Sequence, residues 1–240
     1  MTKLLYQTNS YLKEFSAKVV SVMADIHTIL LDQTVFYPGG GGQVYDKGII
    51  EFNGERAVLK RAKYSPDGIL HIFEEGEPMP EIESEVTGIL DWDRRYKVMR
   101  THTAMHILCG TIFRDYGAQV TGGDMEPLKG RMDFEFENLS KDLVTVIESS
   151  VNKEVAAARD VRVAIHSREE AFKIPDLIRT KINLLPPHIK EVRTVEIVGL
   201  DLQADGGTHV NNTSEVGTIH ITDYKSKGRI NKRLYIELEP

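Results

Sequence analysis

Two segments about a hundred residues apart constrain this chain most: His102-Thr103-Ala104-Met105-His106 and Asp205-Gly206-Gly207-Thr208-His209. Each sets two metal-binding side chain types four residues apart. The first lies within Arg94 to Tyr116, where Val98, Met99, Ala104, Met105, Ile107, Leu108, Ile112 and Phe113 recur as on a helix. At about 100° per residue, positions four apart return to within about 40° of one azimuth, so both imidazoles leave one face a turn apart. That spacing suits a shared metal ion, and it equally suits two partly buried histidines satisfied by hydrogen bonds. The second segment is glycine-rich and lies between strand-like stretches, where the backbone can turn tightly enough to aim Asp205 and His209 at one point. Three imidazoles and a carboxylate make a tetrahedral shell for zinc, one ion per chain, and a position left open to water would make the site hydrolytic. A fold serving such a site must bring the helix and the return loop together.

At 240 residues the chain has room for one large or two modest domains with true cores. Its net charge of -6 excludes a generally basic, sequence-indifferent nucleic-acid binder, so any RNA contact must come from a local patch. Cys109 is the single cysteine; it cannot form an internal disulfide, which fits a reducing compartment, and its place three residues after His106 reads as helix packing. No stretch approaches the roughly 20 apolar residues of a membrane span, and Met1 to Ser10 has no apolar signal core. The expectation is a cytoplasmic protein that meets no membrane.

Up to about Leu90 the chain reads as short strands separated by turns: Phe15 to Met23, His27 to Asp32, Lys47 to Phe52, Arg56 to Lys60, Ile69 to Phe73 and Val86 to Leu90. A small antiparallel barrel resolves such a pattern, because closure leaves no strand edge exposed. Asp91-Trp92-Asp93 opens the long helix, and Arg94, Arg95, Lys97 and Arg100 crowd its first turns, either as a solvated face or as contacts for RNA phosphates. Gly117 to Asp124 leads into a strand and Gly130 to Phe136 alternates like one. Lys141 to Asp160 has helical spacing with Ser140 as N-cap, and Ser167 to Phe172 reads as a short capped helix. Strands are expected at Val161 to Ile165, Val192 to Val198, Ile219 to Thr222 and Lys232 to Leu238, with a break at Leu184 to Pro187. Lys225, Lys227, Arg229, Lys232 and Arg233 place five basic residues in nine, an edge device in some hairpins but in this acidic chain the better RNA contact.

The His-Thr-Ala-x-His and Gly-Gly-Thr-His-Val segments, with Asp32 to Gln43, Gly130 to Phe134 and Gly228-Arg229, resemble the AlaX family of free-standing alanyl-tRNA editing proteins, medium-length type, and the editing domain of alanyl-tRNA synthetases. The threonyl-tRNA synthetase editing domain is a more distant likeness. The motifs run in order along nearly the whole chain. In one place the chain departs from the pattern: Asp205 stands where the family carries cysteine, a harder oxygen donor for a thiolate, or else a residue that orients a ligating imidazole.

The resemblance implies an α+β protein. A small N-terminal antiparallel β-barrel, translation-factor-like, over residues 1–90 would be followed by an α/β-sandwich editing domain with an antiparallel sheet and long helices over 91–240. It implies an ATP-independent aminoacyl-tRNA deacylase with zinc, acting on tRNA(Ala) mischarged with serine or glycine and needing no protein partner, and it leaves the oligomeric state open. The glycine loop Gly39, Gly40, Gly41 and Gly42 with Gln43 is expected to reach the editing pocket, and Thr121 to recognise the serine hydroxyl. Arg131 or Asp133 would brace the site, and Lys225, Lys227, Arg229 and Arg233 would contact RNA. The competing reading is a catalytically silent tRNA-binding module with a structural metal; a small-molecule esterase is a third.

Overall fold

Alternation in Glu14–Met23, with Phe15, Ala17 and Val19 buried and Glu14, Ser16 and Lys18 exposed, makes that segment a strand with one wet face. The computed structural model describes residues 2–175, 177 and 190–240, and divides into a unit of Met1–Tyr96 and a unit of Lys97–Pro240. In the first, β1 (Lys3–Leu4) pairs in parallel with β4 (Gln33–Thr34). The strands β2 (Glu14–Met23), β3 (Thr28–Leu31), β5 (Gly48–Phe52), β6 (Glu55–Ser65), β7 (Gly68–Phe73) and β8 (Glu85–Leu90) close into an antiparallel barrel in the order β2-β3-β7-β6-β5-β8. Its core includes Phe15, Val19, Ile29, Leu31, Phe36, Ile50, Leu59, Ile69 and Phe73. All six strands read from the sequence are present; β1 and β4, two residues each, carry too little pattern to be read.

Helix α1 (Trp92–Tyr116) begins where Asp91 caps it, its Oδ1 accepting from the Arg94 amide at 3.1 Å. From Thr101 to Ile112 every side chain is buried, so the helix is enclosed on all sides. Two antiparallel sheets belong to the unit Lys97–Pro240. One has the order β14 (Ile219–Ser226), β15 (Asn231–Leu238), β10 (Lys129–Glu135), β9 (Val120–Glu126); the other is β11 (Val161–Ser167), β12 (Glu191–Ile197), β13 (Asp201–Ala204). Gly130 lets α1 lie close to the first sheet, since a Cβ there would stand 2.7 Å from the Met105 sulfur. Gly110 does the same on another face, where a Cβ would meet the Asp201 Cβ at 2.8 Å.

Helix α2 (Lys141–Ala156) starts at the expected Ser140 cap, whose hydroxyl oxygen accepts from the Leu143 amide, but it ends four residues before Asp160. The stop is local, because Ala158 takes a left-handed φ of 49°. The four-residue α3 (Arg168–Ala171) carries the Ser167–Glu170 capping box. The break expected at Leu184 to Pro187 lies outside the described residues. No helix among the described residues is long and apolar enough to cross a membrane.

Candidate metal centre

The enclosed stretch of α1 points His102 and His106 toward the loop that follows β13, which carries Asp205 and His209. One ligand atom from each of the four lies within 4.8 Å of the other three. The histidine ring centroids are 4.1, 4.7 and 5.1 Å apart, and all three rings are buried. Residues 205–209 close on themselves as an Asx turn: Asp205 Oδ2 accepts from the Gly207 amide at 2.8 Å and lies 2.9 Å from His209 Nε2, while Oδ1 lies 3.5 Å from His102 Nε2. The carboxylate therefore faces two of the three imidazoles.

The outer nitrogens of two rings are also held. His106 Nδ1 lies 3.1 Å from Asp201 Oδ2, and the Gln203 amide nitrogen donates to the same oxygen at 2.6 Å. His209 Nδ1 lies 3.2 Å from the Thr103 hydroxyl, which accepts from the Val210 amide at 3.3 Å. With Nδ1 engaged on the far side, each ring turns Nε2 inward, as a metal-ligating histidine requires. Arg193, buried on β12, donates from Nη1 to the Asp205 carbonyl oxygen at 2.8 Å, and the same nitrogen stands 3.6 Å from Asp205 Oδ2.

Burial pushes His102 well below its usual value and His209 down to about 4, so both are neutral donors at neutral pH. Burial also works to lower His106, but the hydrogen bond and charge of Asp201 outweigh it and raise that imidazole. For Asp205, burial works upward and is overcome by the neighbouring imidazoles of His102 and His209, which hold the carboxyl well below the usual range. Since those two rings are themselves neutral at neutral pH, we assign the ionised carboxylate there to the Gly207 amide it accepts from, with the Arg193 charge beside it. Three inward nitrogens and one anionic oxygen, buried and oriented from behind, fit a dication such as zinc.

Other residues singled out in the sequence stand elsewhere. Thr121 is exposed on β9, and its hydroxyl donates to Asn231 Oδ1 at 3.2 Å. Arg131 stands 3.5 Å from Asp124. Asp133 takes a two-pronged ion pair from Arg233, at 2.6 and 2.8 Å, so Arg233 is tied to the sheet and Lys232 is buried against the carbonyls of Gly228 and Arg229. Lys225 lies in β14 with Asp223 at 3.2 Å, while Lys227 and Arg229 are exposed at the hairpin tip. Of the four cations read at the head of α1 as a solvated face or as RNA contacts, Arg95 and Arg100 are instead engaged within the protein. Arg95 is fully buried in an ion pair with Asp46 and bonds the carbonyls of Ser10 and Val35; Arg100 bonds the carbonyls of Val216 and Glu239. In the barrel unit, Gly39 to Gly42 all take positive φ and the loop is closed by paired Gly40–Gln43 backbone bonds, with Gln43 buried.

Asp201, Thr103 and Arg193 escaped the sequence reading. Asp201 and Gln203 alternate ahead of Asp205, a two-residue period that signals a strand, but over four residues it is too short to stand out.

The fold and site define a protein with a β-barrel unit and a second unit organised around a candidate metal centre. The alanyl-tRNA editing protein AlaX-M of Saccharolobus solfataricus is 38% identical over 242 residues, 100% of each chain. That of Methanosarcina mazei is 38% identical over 244 residues, 99% of this chain and 97% of its own. The alanine–tRNA ligase of Sulfurisphaera tokodaii is 36% identical over 227 residues, covering 92% of this chain and 24% of the ligase. A family model described as tRNA synthetases class II (A) matches residues 5–94, and one described as Threonyl and Alanyl tRNA synthetase second additional domain matches residues 192–235. The chain belongs to the AlaX-M family of alanyl-tRNA editing proteins.

Proposed function

We propose that this chain is an aminoacyl-tRNA deacylase that acts in trans on tRNA(Ala) mischarged chiefly with serine, and also with glycine, using one zinc ion held by His102, His106, His209 and Asp205. The carrying observation is the convergence of those four donors from α1 and the loop after β13. Bound there, the zinc would supply Lewis acidity toward an ester carbonyl or its attacking water. The rest is done by the chain: Asp201 and Thr103 hold two imidazoles in the donating orientation, and Gly207 with Arg193 holds the carboxylate. Residues 91–240 form the deacylase domain in this reading, and 1–90 the barrel domain with its glycine loop.

Thr121 is the proposed partner of the serine hydroxyl, since its own hydroxyl is exposed and could exchange Asn231 for substrate. Alanine is smaller than serine and cannot be excluded by size, so selectivity must come from a polar group that alanine leaves unpaired, at a cost of about 1 to 3 kcal/mol. Gly39 to Gln43, Arg131 and the hairpin cations Lys225, Lys227 and Arg229 are proposed substrate contacts; Arg233 supports them through Asp133.

The test is hydrolysis of seryl-, glycyl- and alanyl-tRNA(Ala) by the protein as purified, after chelation, and after zinc is restored. Loss of seryl-tRNA that disappears with the metal and returns with it is expected. Binding of tRNA without hydrolysis would instead establish a silent module with a structural metal.

A further inference from the structure

The barrel unit holds two guanidinium groups whose donors are only partly spent among the described residues. Of the basic side chains at the head of α1, Arg95 is consumed by Asp46, but Arg94 is not: its Nη2 reaches the Tyr45 carbonyl oxygen at 3.3 Å, and its Nε is buried with no acceptor. Arg61 lies on the same tyrosine, its guanidinium carbon 5.0 Å from the Tyr45 ring centroid, and its Nε is likewise buried without an acceptor. Neither forms an ion pair among the described residues. Asp46, next to Tyr45, is taken by Arg95 and by the Tyr37 amide.

Local structure places both groups. The β6–β7 ladder slips register between Leu59 and Arg61, a bulge of the kind that re-aims a side chain. The glycine loop passes directly beside Tyr45: a Cβ at Gly39 would stand 3.4 Å from the Tyr45 nitrogen. Buried N–H groups in native proteins nearly always have acceptors; here both side chains are half-buried, so an acceptor from outside would meet the terminal nitrogens of two forks whose inner Nε groups have none among the described residues. The planar fork of arginine matches phosphate oxygens better than an ammonium does. In a chain of net charge -6, attraction for phosphate must be built locally, as it is here.

We propose that Arg61 and Arg94, flanking Tyr45, form a phosphate-binding site for the backbone of an RNA substrate; this rests on the tRNA reading above. Binding of unacylated tRNA(Ala) by the full-length protein across a salt series tests it, with Arg61→Gln and Arg94→Gln as variants and zinc content measured alongside. Each variant is expected to bind roughly fivefold more weakly and to lose about one unit of the slope of log affinity against log salt, with zinc content unchanged. Arg61→Lys should recover the slope but only part of the affinity, because the point charge is kept while the fork is lost, and it covers the case in which Arg61→Gln fails to fold. If the parent binds tRNA and both glutamine variants keep its affinity and slope, the site is overturned. A parent that binds no tRNA overturns the tRNA reading and this site with it.

Discussion

Asp201 Oδ2 lies 3.1 Å from His106 Nδ1, joining residues 95 apart in sequence and fixing which nitrogen of that imidazole faces the cluster. Partners behind a ligating histidine are typically worth 10- to 100-fold in metal affinity, so Asp201→Asn should weaken zinc binding by about that factor. Unchanged affinity in a chelator competition would show that the contact orients nothing.

The same contact sets a pH dependence. Asp201 raises His106 above its usual 6.5, so a proton competes with the metal for this ring already near neutrality. Affinity should fall as pH drops from about 8 to about 6, because the protonated ring has no lone pair to offer. In Asp201→Asn, where the raising partner is gone, the fall should begin at lower pH. An identical pH profile in the two proteins would refute the assignment.

Arg193 places a buried cation beside a site meant for a cation, and its charge and hydrogen bond should act in opposite directions. Arg193→Gln keeps a donor for the Asp205 carbonyl and removes the charge. Removing a like charge that stands beside the candidate ligand Asp205 relieves repulsion of a dication, so this variant should bind zinc at least about tenfold more tightly, while Arg193→Lys should not. Weaker binding in Arg193→Gln would mean that the group serves mainly to hold the loop.

Much of the fold was legible because the barrel strands alternate and are separated by glycine and proline, and because His102 and His106 share a helix face. What stayed hidden was pairing at long range. Arg94 and Arg95 are adjacent and look alike, yet Arg95 is enclosed because Asp46 meets it across 49 residues while Arg94 is half-buried. Arg233 looked like a free hairpin cation until β10 and β15 set Asp133 opposite it. At the centre, the four side chains that cluster could be read from spacing, but Asp201, Thr103 and Arg193 could not, since they are defined only by which atoms they meet.

His71 gives a prediction for stability. Burial drives this barrel histidine down to about 4, and its Nε2 lies 2.8 Å from the Thr34 hydroxyl. The folded pKa lies below the unfolded one, so the unfolded chain binds the extra proton between them. Stability is intact above about pH 6.5 and is lost as pH falls toward about 4, by up to about 3 kcal/mol from this residue. The difference in urea midpoint between the parent and His71→Gln should therefore shrink as pH is lowered through that window. A difference independent of pH would exclude His71 as a source.

The carboxylate at position 205 offers the most direct test of the centre. Asp205 presents one oxygen to His102 while the other accepts from Gly207, so as a metal donor it would be hard and anionic beside three imidazoles. Asp205→Cys replaces it by a softer thiolate, which favours zinc and cobalt over manganese, so the ratio of zinc to manganese affinity should rise roughly tenfold or more. The lost hydrogen bond to the Gly207 amide should cost about 1 kcal/mol in loop order, too little to reverse that preference. Cobalt substitution gives an independent readout, because a thiolate donor adds a charge-transfer absorption that three imidazoles and a carboxylate lack. If Asp205→Cys changed neither the metal preference nor the cobalt spectrum, the side chain at 205 would not reach the metal, and its part would be confined to holding His209 in place.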